Sequence, residues 1–334
     1  MCNAFLAIAD DKEALWYNPA GLVQIKGNHF DIYDLMIGAD SVGTLGTMAG
    51  GLMGGGVSSS SDRQFGRFGF FPAYYRDGFG MSLFYHLQSV TDFGNLARPE
   101  VDIYGASDLG LVTSLALPLS EHFAIGGSVH VVQRNGIDLT QDTTQFLTDL
   151  GVTADEFSAS PYTYVKTLVG SGRGIGYHLG TLLKVPTGKR SLVSWALTVD
   201  DVLNTKFSHS AGAQLPTIPM SMNLGVALRT ILSDEAHWTL AMDIRNFTSG
   251  LFYGKFIHLG SEWAYGDSSF RLGICQGYWT AGVGWETTNF RLSLSSYGAE
   301  LGNGWLQRSQ RWYLLEMSVG VHGVTRRSHG THFE

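Results

Sequence analysis

Few residues in this chain have the types and spacing for covalent chemistry. Ser128 and His130 share one face of a strand, as a nucleophile and its base would. No Gly-x-Ser-x-Gly elbow presents a serine, and a serine near a histidine defines a triad too loosely to specify hydrolysis. Gly172-x-Gly174-x-Gly176 lacks the third glycine of a dinucleotide loop and no helix follows it, so these are strand glycines. Asp200-Asp201 falls at the outer end of a strand, as a solvated rim would. His329 and His332 lie in a polar tail. The sequence therefore predicts no enzyme, no metal site and no cofactor.

A second set of polar residues is more orderly. His86, His130, His178, Lys184, Arg229, Asp243, Arg245, Glu262, Glu286, Arg291 and Glu316 alternate with apolar neighbours. Those neighbours are Leu83, Tyr85, Leu179, Leu183, Leu224, Val226, Leu228, Leu240, Met242, Ile244, Val283, Trp285, Leu292 and Leu294. Alternation at period two belongs to strands with one apolar and one polar face. The charges carry both signs, so on an enclosed face they can pair and be hydrated. They would line a conduit or fill a lumen as an ion-pair network.

Composition narrows the host of such strands. Of 334 residues, 44% are hydrophobic and only 15% charged, with 43 glycines. An ordinary soluble domain carries about 25% charged residues. Mean hydropathy is +0.03, and no run of about 18 apolar residues marks a membrane helix. Low charge and many aromatics without a spanning helix fit a membrane β-barrel better than a soluble sandwich. A net charge of −7 argues against nucleic acid as a partner. Trp16, Trp195, Trp238, Trp263, Trp285 and Trp312 fall near strand ends, where an interfacial girdle would stand. Cys2 and Cys275 are expected to be free thiols.

In chain order, strands are predicted near 28–38, 66–76, 79–90, 101–118, 122–134, 172–186, 190–203, 217–230, 236–247, 254–266, 268–276, 278–286, 289–299 and 309–321. Tight turns such as Arg76-Asp77-Gly78 and Thr187-Gly188-Lys189 join them in pairs. The connections between pairs are mostly longer: 39–65, 91–100, 135–171, 204–216, 247–253 and 300–308, with a short one at Gln276-Gly277. Loops sorted by parity are the mark of an outer-membrane barrel. The fold class is thus a 14-stranded antiparallel transmembrane β-barrel. Within 135–171, Thr143 to Phe157 reads as a helix with Phe146, Leu147, Leu150 and Phe157 on roughly one face.

Ahead of the strands stands Asp10 to Leu22, DDKEALWYNPAGL. Pro19 lacks an N–H and biases Asn18 away from the helical region, and Gly21 is expected to close a turn at positive φ. The segment therefore ends hard. With Asn3-Ala4 and Ala7-Ile8-Ala9 before it, it resembles the opening of the FadL-like outer-membrane transporters. Gly174 to Gly180, Ile218 to Ala227 and Trp238 to Asp243 are similar to strands of that family. Phe270 to Gly273, Gly277 to Gly284 and Glu300 to Gly302 are similar to its PorV-like branch, whose barrels serve secretion machinery.

The resemblance implies a barrel with residues 1–27 folded inside as a hatch, strands over 28–321 and a periplasmic tail over 322–334. It implies uptake of long-chain fatty acids or similar hydrophobic molecules, in contact with outer-membrane lipid and lipopolysaccharide. The PorV-like features imply protein partners instead of transport. Trp16, Tyr17, Asn18, Pro19 and Ala20 would form the gate. Apolar residues of the two longest loops would capture ligand: Leu45, Met48, Leu52 and Met53 in one, Phe146, Leu147, Leu150 and Phe157 in the other. The family motif is already under way at Met1, so a signal peptide is expected upstream.

Overall fold

The computed structural model describes residues 1–41, 63–92, 100–153, 155–156, 161–248, 253–300, 305–307 and 309–322. Its strands are β1 (Asn28–Ala39), β2 (Arg63–Phe70), β3 (Ala73–Arg76), β4 (Phe79–Asp92), β5 (Glu100–Pro118), β6 (Phe123–Asp142), β7 (Gly170–Gly188) and β8 (Ser191–Asp200). They continue as β9 (Phe207–Ala211), β10 (Ser221–Ile231), β11 (Ala236–Ile244), β12 (Ile257–Tyr265), β13 (Ser268–Cys275), β14 (Tyr278–Glu286), β15 (Phe290–Glu300) and β16 (Ser309–His322).

Each strand pairs antiparallel with its neighbours, and β16 returns to pair with β1, closing a barrel of fourteen wall positions. Both β2 and β3 lie between β1 and β4. They are one wall strand broken at Phe71-Pro72, where proline cannot donate to the ladder. Short β9 pairs only with β7, beyond the end of β8. Closure leaves no open sheet edge, which a bilayer requires.

Period-two alternation decides the faces. Along β7, Gly174, Gly176, His178, Gly180 and Leu182 are buried, while Ile175, Tyr177, Leu179 and Leu183 are exposed. The exposed set forms an apolar belt that runs round the wall, from Leu83 and Leu111 through Leu240 to Leu272 and Leu294. Trp195, Trp263, Trp279 and Trp285 belong to it. Two tryptophans do not join the girdle: Trp16 lies in the N-terminal segment against Phe84, and Trp312 faces inward with its strand's even positions.

The long insertion is shorter than its sequence suggests, because β6 runs on to Asp142. The helix there spans Thr143–Leu150. Asp142 caps it by accepting from the Thr144 and Gln145 N–H groups, and Gly151 ends it at φ 68. A second helix follows at Pro161–Leu168.

Candidate functional site

The N-terminal segment lies inside the barrel, against the inner faces of β6, β7, β10, β11 and β12. A short helix over Ala14–Tyr17 stops at Asn18, which is extended at φ −159 and ψ 99. Pro19 then opens a 3-10 turn over Pro19–Gln24. Asn18 is fully buried. Its Nδ2 donates to Leu6 O at 3.0 Å and to Thr181 O of β7 at 3.0 Å, while Oδ1 accepts from Ala20 N at 3.1 Å. One side chain thus ties together the stretch at Leu6, the start of the next turn and the wall.

The wall makes room with glycine. A Cβ on Gly180 would stand 2.1 Å from Asn18 Oδ1, and one on Gly126 would stand 2.4 Å from Ala20 N. Gly225 and Gly260 admit Leu6 and Met1 in the same way. Gly21 has a different role from the expected one. Its φ is not positive; a Cβ there would lie 2.1 Å from Ala9 O, so the residue is needed where the plug packs on itself.

Four further polar anchors and a disulfide hold the segment. Asp243 of β11 accepts from the Phe5 and Leu6 N–H groups at 2.8 and 3.0 Å. Arg229 donates to Asp10 at 2.8 Å, and Arg291 lies 3.6 Å from Asp11 while also reaching Glu286. Lys12 pairs with Asp34 of β1. The cysteines are not free: Cys2 and Cys275 of β13 form a disulfide with Cα atoms 5.7 Å apart. Nothing in their spacing signals this, since only the fold brings residues so distant together. Cys275 ends its strand at the loop side, so the plug runs from there down to the tight turns, where Gly78 N donates to Leu22 O.

The gate residues predicted from sequence come together here. Trp16 meets Phe84 edge-on at 4.8 Å. Tyr17 donates to Asn3 Oδ1, lies edge-on to Phe5 and carries the Arg245 guanidinium 4.9 Å above its ring. Pro19 and Ala20 pack on β6 at Gly126.

The expected polar residues that lie on strands stand at inward positions, and Arg245, just past the end of β11, reaches inward over Tyr17. Glu262 accepts from Arg271 Nε at 2.6 Å, and His86 Nε2 accepts from Arg67 Nε at 3.0 Å. His130 and His178 lie 2.9 Å apart through their ring nitrogens. Lys184 shares the inward parity of His178 on β7, and Glu316 pairs in register with Met36.

An aromatic cluster toward the loop end was missed. Phe65 and Trp312 stack at 3.9 Å and 2°, and Tyr297 meets Trp312 edge-on at 5.4 Å. Trp312 shares parity with Glu316, and Tyr297 with Arg291, so the alternation was the signal for both rings facing inward, against the girdle position expected for Trp312.

The loop residues fare differently. Leu45, Met48, Leu52, Met53 and Phe157 lie outside the described residues. Phe146 is not part of an exposed patch: it is 1% exposed and packs on Val101 and Ile103, with Leu147 and Leu150 beside it. Helix and strand ends close on each other there.

No family model matches the chain, and no curated protein sequence does. Solved structures share its fold. The toluene transporter TbuX of Ralstonia pickettii is 15% identical, covers 96% of this chain and 98% of its own, and superposes with a TM-score of 0.52. A deltaS2 mutant of the TodX monoaromatic hydrocarbon channel is 14% identical over 93% of this chain and 95% of its own, also at 0.52. The chain thus has the barrel architecture of these proteins over nearly its whole length.

Proposed function

We propose that this protein is an outer-membrane channel for small hydrophobic molecules, with its N-terminal segment as the gate. The observation that carries this is a closed barrel, apolar outside, whose lumen holds a segment fastened to the wall through Asn18 and Asp243. Wall and plug are distinct, so a local shift of the plug opens a path without unfolding the barrel. TbuX is a toluene transporter and TodX a monoaromatic hydrocarbon channel, and both share the fold. The resemblance of the opening motif to the FadL-like transporters supports the same class and extends it to long-chain fatty acids. Lipid and lipopolysaccharide are the surroundings that the apolar belt fits.

Trp312 and Tyr297, backed by the buried Phe65, give the loop end an aromatic surface for an apolar guest. Arg67 stands on the same inward face of β2 as Phe65 and supplies a cation beside them. That pairing suits an apolar chain with an anionic head. Uptake of labelled oleate and of labelled toluene by cells carrying the barrel, against cells with empty vector, tests the proposal in two arms. Faster uptake of either supports a channel, and the arm that responds names the substrate class. Uptake no faster than with empty vector in both arms, with the barrel correctly inserted, would sink the proposal.

A further inference from the structure

Two histidines and two aspartates converge on the wall where β8 ends, and the channel function gives them no task. His130 of β6 and His178 of β7 are each 7% exposed, with their rings stacked at 4.7 Å. The chain leaving β8 turns back over them. Asp201, Leu203 and Asn204 take φ values of 50, 69 and 62, a left-handed conformation unusual for residues other than glycine. Backbone held this way persists where its surroundings over-determine it, and such sites cluster at ligand clamps.

The turn sets Asp201 Oδ1 3.8 Å from His130 Nε2, and Asp200 Oδ1 3.5 Å from His178 Nδ1. Asp200 Oδ1 is buried and has no hydrogen-bond partner among the described residues. Thr205 orients Asp201 by donating to Oδ1 at 2.6 Å. Gly176 makes the space: a Cβ there would stand 2.2 Å from His130 Cε1 and 2.4 Å from Thr205 Oγ1. The neighbouring cation, Arg134, is already held by Asp108 through two 2.7 Å bonds. Two carboxylates therefore face two imidazoles, and Arg134 is engaged elsewhere.

We propose that His130, His178 and Asp201 bind a divalent transition-metal ion, with zinc the best fit, and that Asp200 lies beside it as a balancing charge. One donor atom from each of the three lies within 4.8 Å of the others. Zinc bonds of about 2.0–2.2 Å in a tetrahedron space donors roughly 3.4 Å apart, so metal binding exchanges one of the two contacts His178 now makes, to His130 Nδ1 at 2.9 Å or from Asp201 N at 3.3 Å, for the ion. Imidazole with carboxylate suits zinc better than calcium or magnesium, which prefer all-oxygen sites. A bound ion would pin β6, β7 and the turn after β8 together, next to Gly180 where Asn18 packs.

The test uses the full chain without an affinity tag, purified in detergent under oxidising conditions so that Cys2 and Cys275 stay paired. After treatment with chelator, zinc is titrated by calorimetry and cobalt by its visible absorption. The expected result is one equivalent of zinc per barrel and tetrahedral cobalt bands. His130→Ala with His178→Ala abolishes both, and Asp201→Asn weakens zinc at least tenfold. Should the double variant fail to migrate as a folded barrel, Asp201→Asn carries the comparison. Absence of stoichiometric binding in the folded wild type, or binding that these substitutions leave unchanged, would overturn the site. None of these readouts depends on transport.

Discussion

At the scale of single residues, Asn18 shows what the sequence could and could not reveal. Pro19 after it guarantees that a helix stops there, and that stop is real. The partners that make Asn18 necessary lie far away in the chain, on β7 and at Leu6, and no local pattern announces them. Asn18→Ala strips three hydrogen bonds from a buried site. Stranding buried backbone groups costs about 1–3 kcal/mol. The variant should therefore form a normal barrel with a looser plug, seen as higher single-channel conductance in planar bilayers. Conductance equal to wild type would mean that the other anchors suffice. Arg67 makes a second residue-level case. Arg67→Gln leaves the stacked rings of Phe65 and Trp312 intact but removes the charge. Oleate uptake should fall several-fold while toluene uptake holds; a matched fall in both would assign Arg67 a structural role.

At the scale of elements, the plug is a non-strand segment fastened along its length, and the fastenings differ in how legible they were. The inward charges on β10, β11 and β15 followed from alternation alone, and Arg229, Asp243 and Arg291 turn out to hold the plug. The helix at Thr143–Leu150 was legible through its apolar face, though its end was set by Gly151 and not by the apolar pattern. The break at Phe71-Pro72 needed only Pro72 to be given weight, whereas β9 is five residues paired to a distant strand and left no periodic signal. The disulfide was illegible because two cysteines in one chain specify no geometry until the sheet is closed. It ties the start of the segment to β13, so any movement of the segment pivots from that tether or leaves it in place. Cys2→Ser with Cys275→Ser should leave barrel migration on gels unchanged but expose the first residues to protease added outside the membrane. Protection identical to wild type would show that the remaining contacts, Asp243 to the Phe5 and Leu6 N–H groups and His258 to Cys2 O, hold this end without the disulfide.

At the scale of the whole molecule, one rule organises the chain: odd and even positions of a strand face different solvents. A single-position slip would turn the lumenal charges into lipid and the apolar belt into the lumen. This explains why the faces could be assigned from sequence while the plug's fastenings could not. Face assignment depends on period two, which every strand repeats; a fastening depends on one pair of residues. The rule makes a sharp demand on β7. Leu179 lies at the middle of this strand and is 53% exposed on the apolar belt. Arginine at the bilayer midplane of a barrel costs about 2–4 kcal/mol, so Leu179→Arg should fold into lipid vesicles in markedly lower yield than wild type. Lys184 lies on the opposite face of the same strand. Lys184→Leu changes charge and size as much in reverse, yet touches no lipid, so its yield should match wild type. The assay is the fraction of chain that migrates as unheated, folded barrel after refolding into vesicles. Equal yields for the two variants would mean that β7 does not present Leu179 to lipid, and the inward assignment of its neighbours His178 and Lys184 would fall with it.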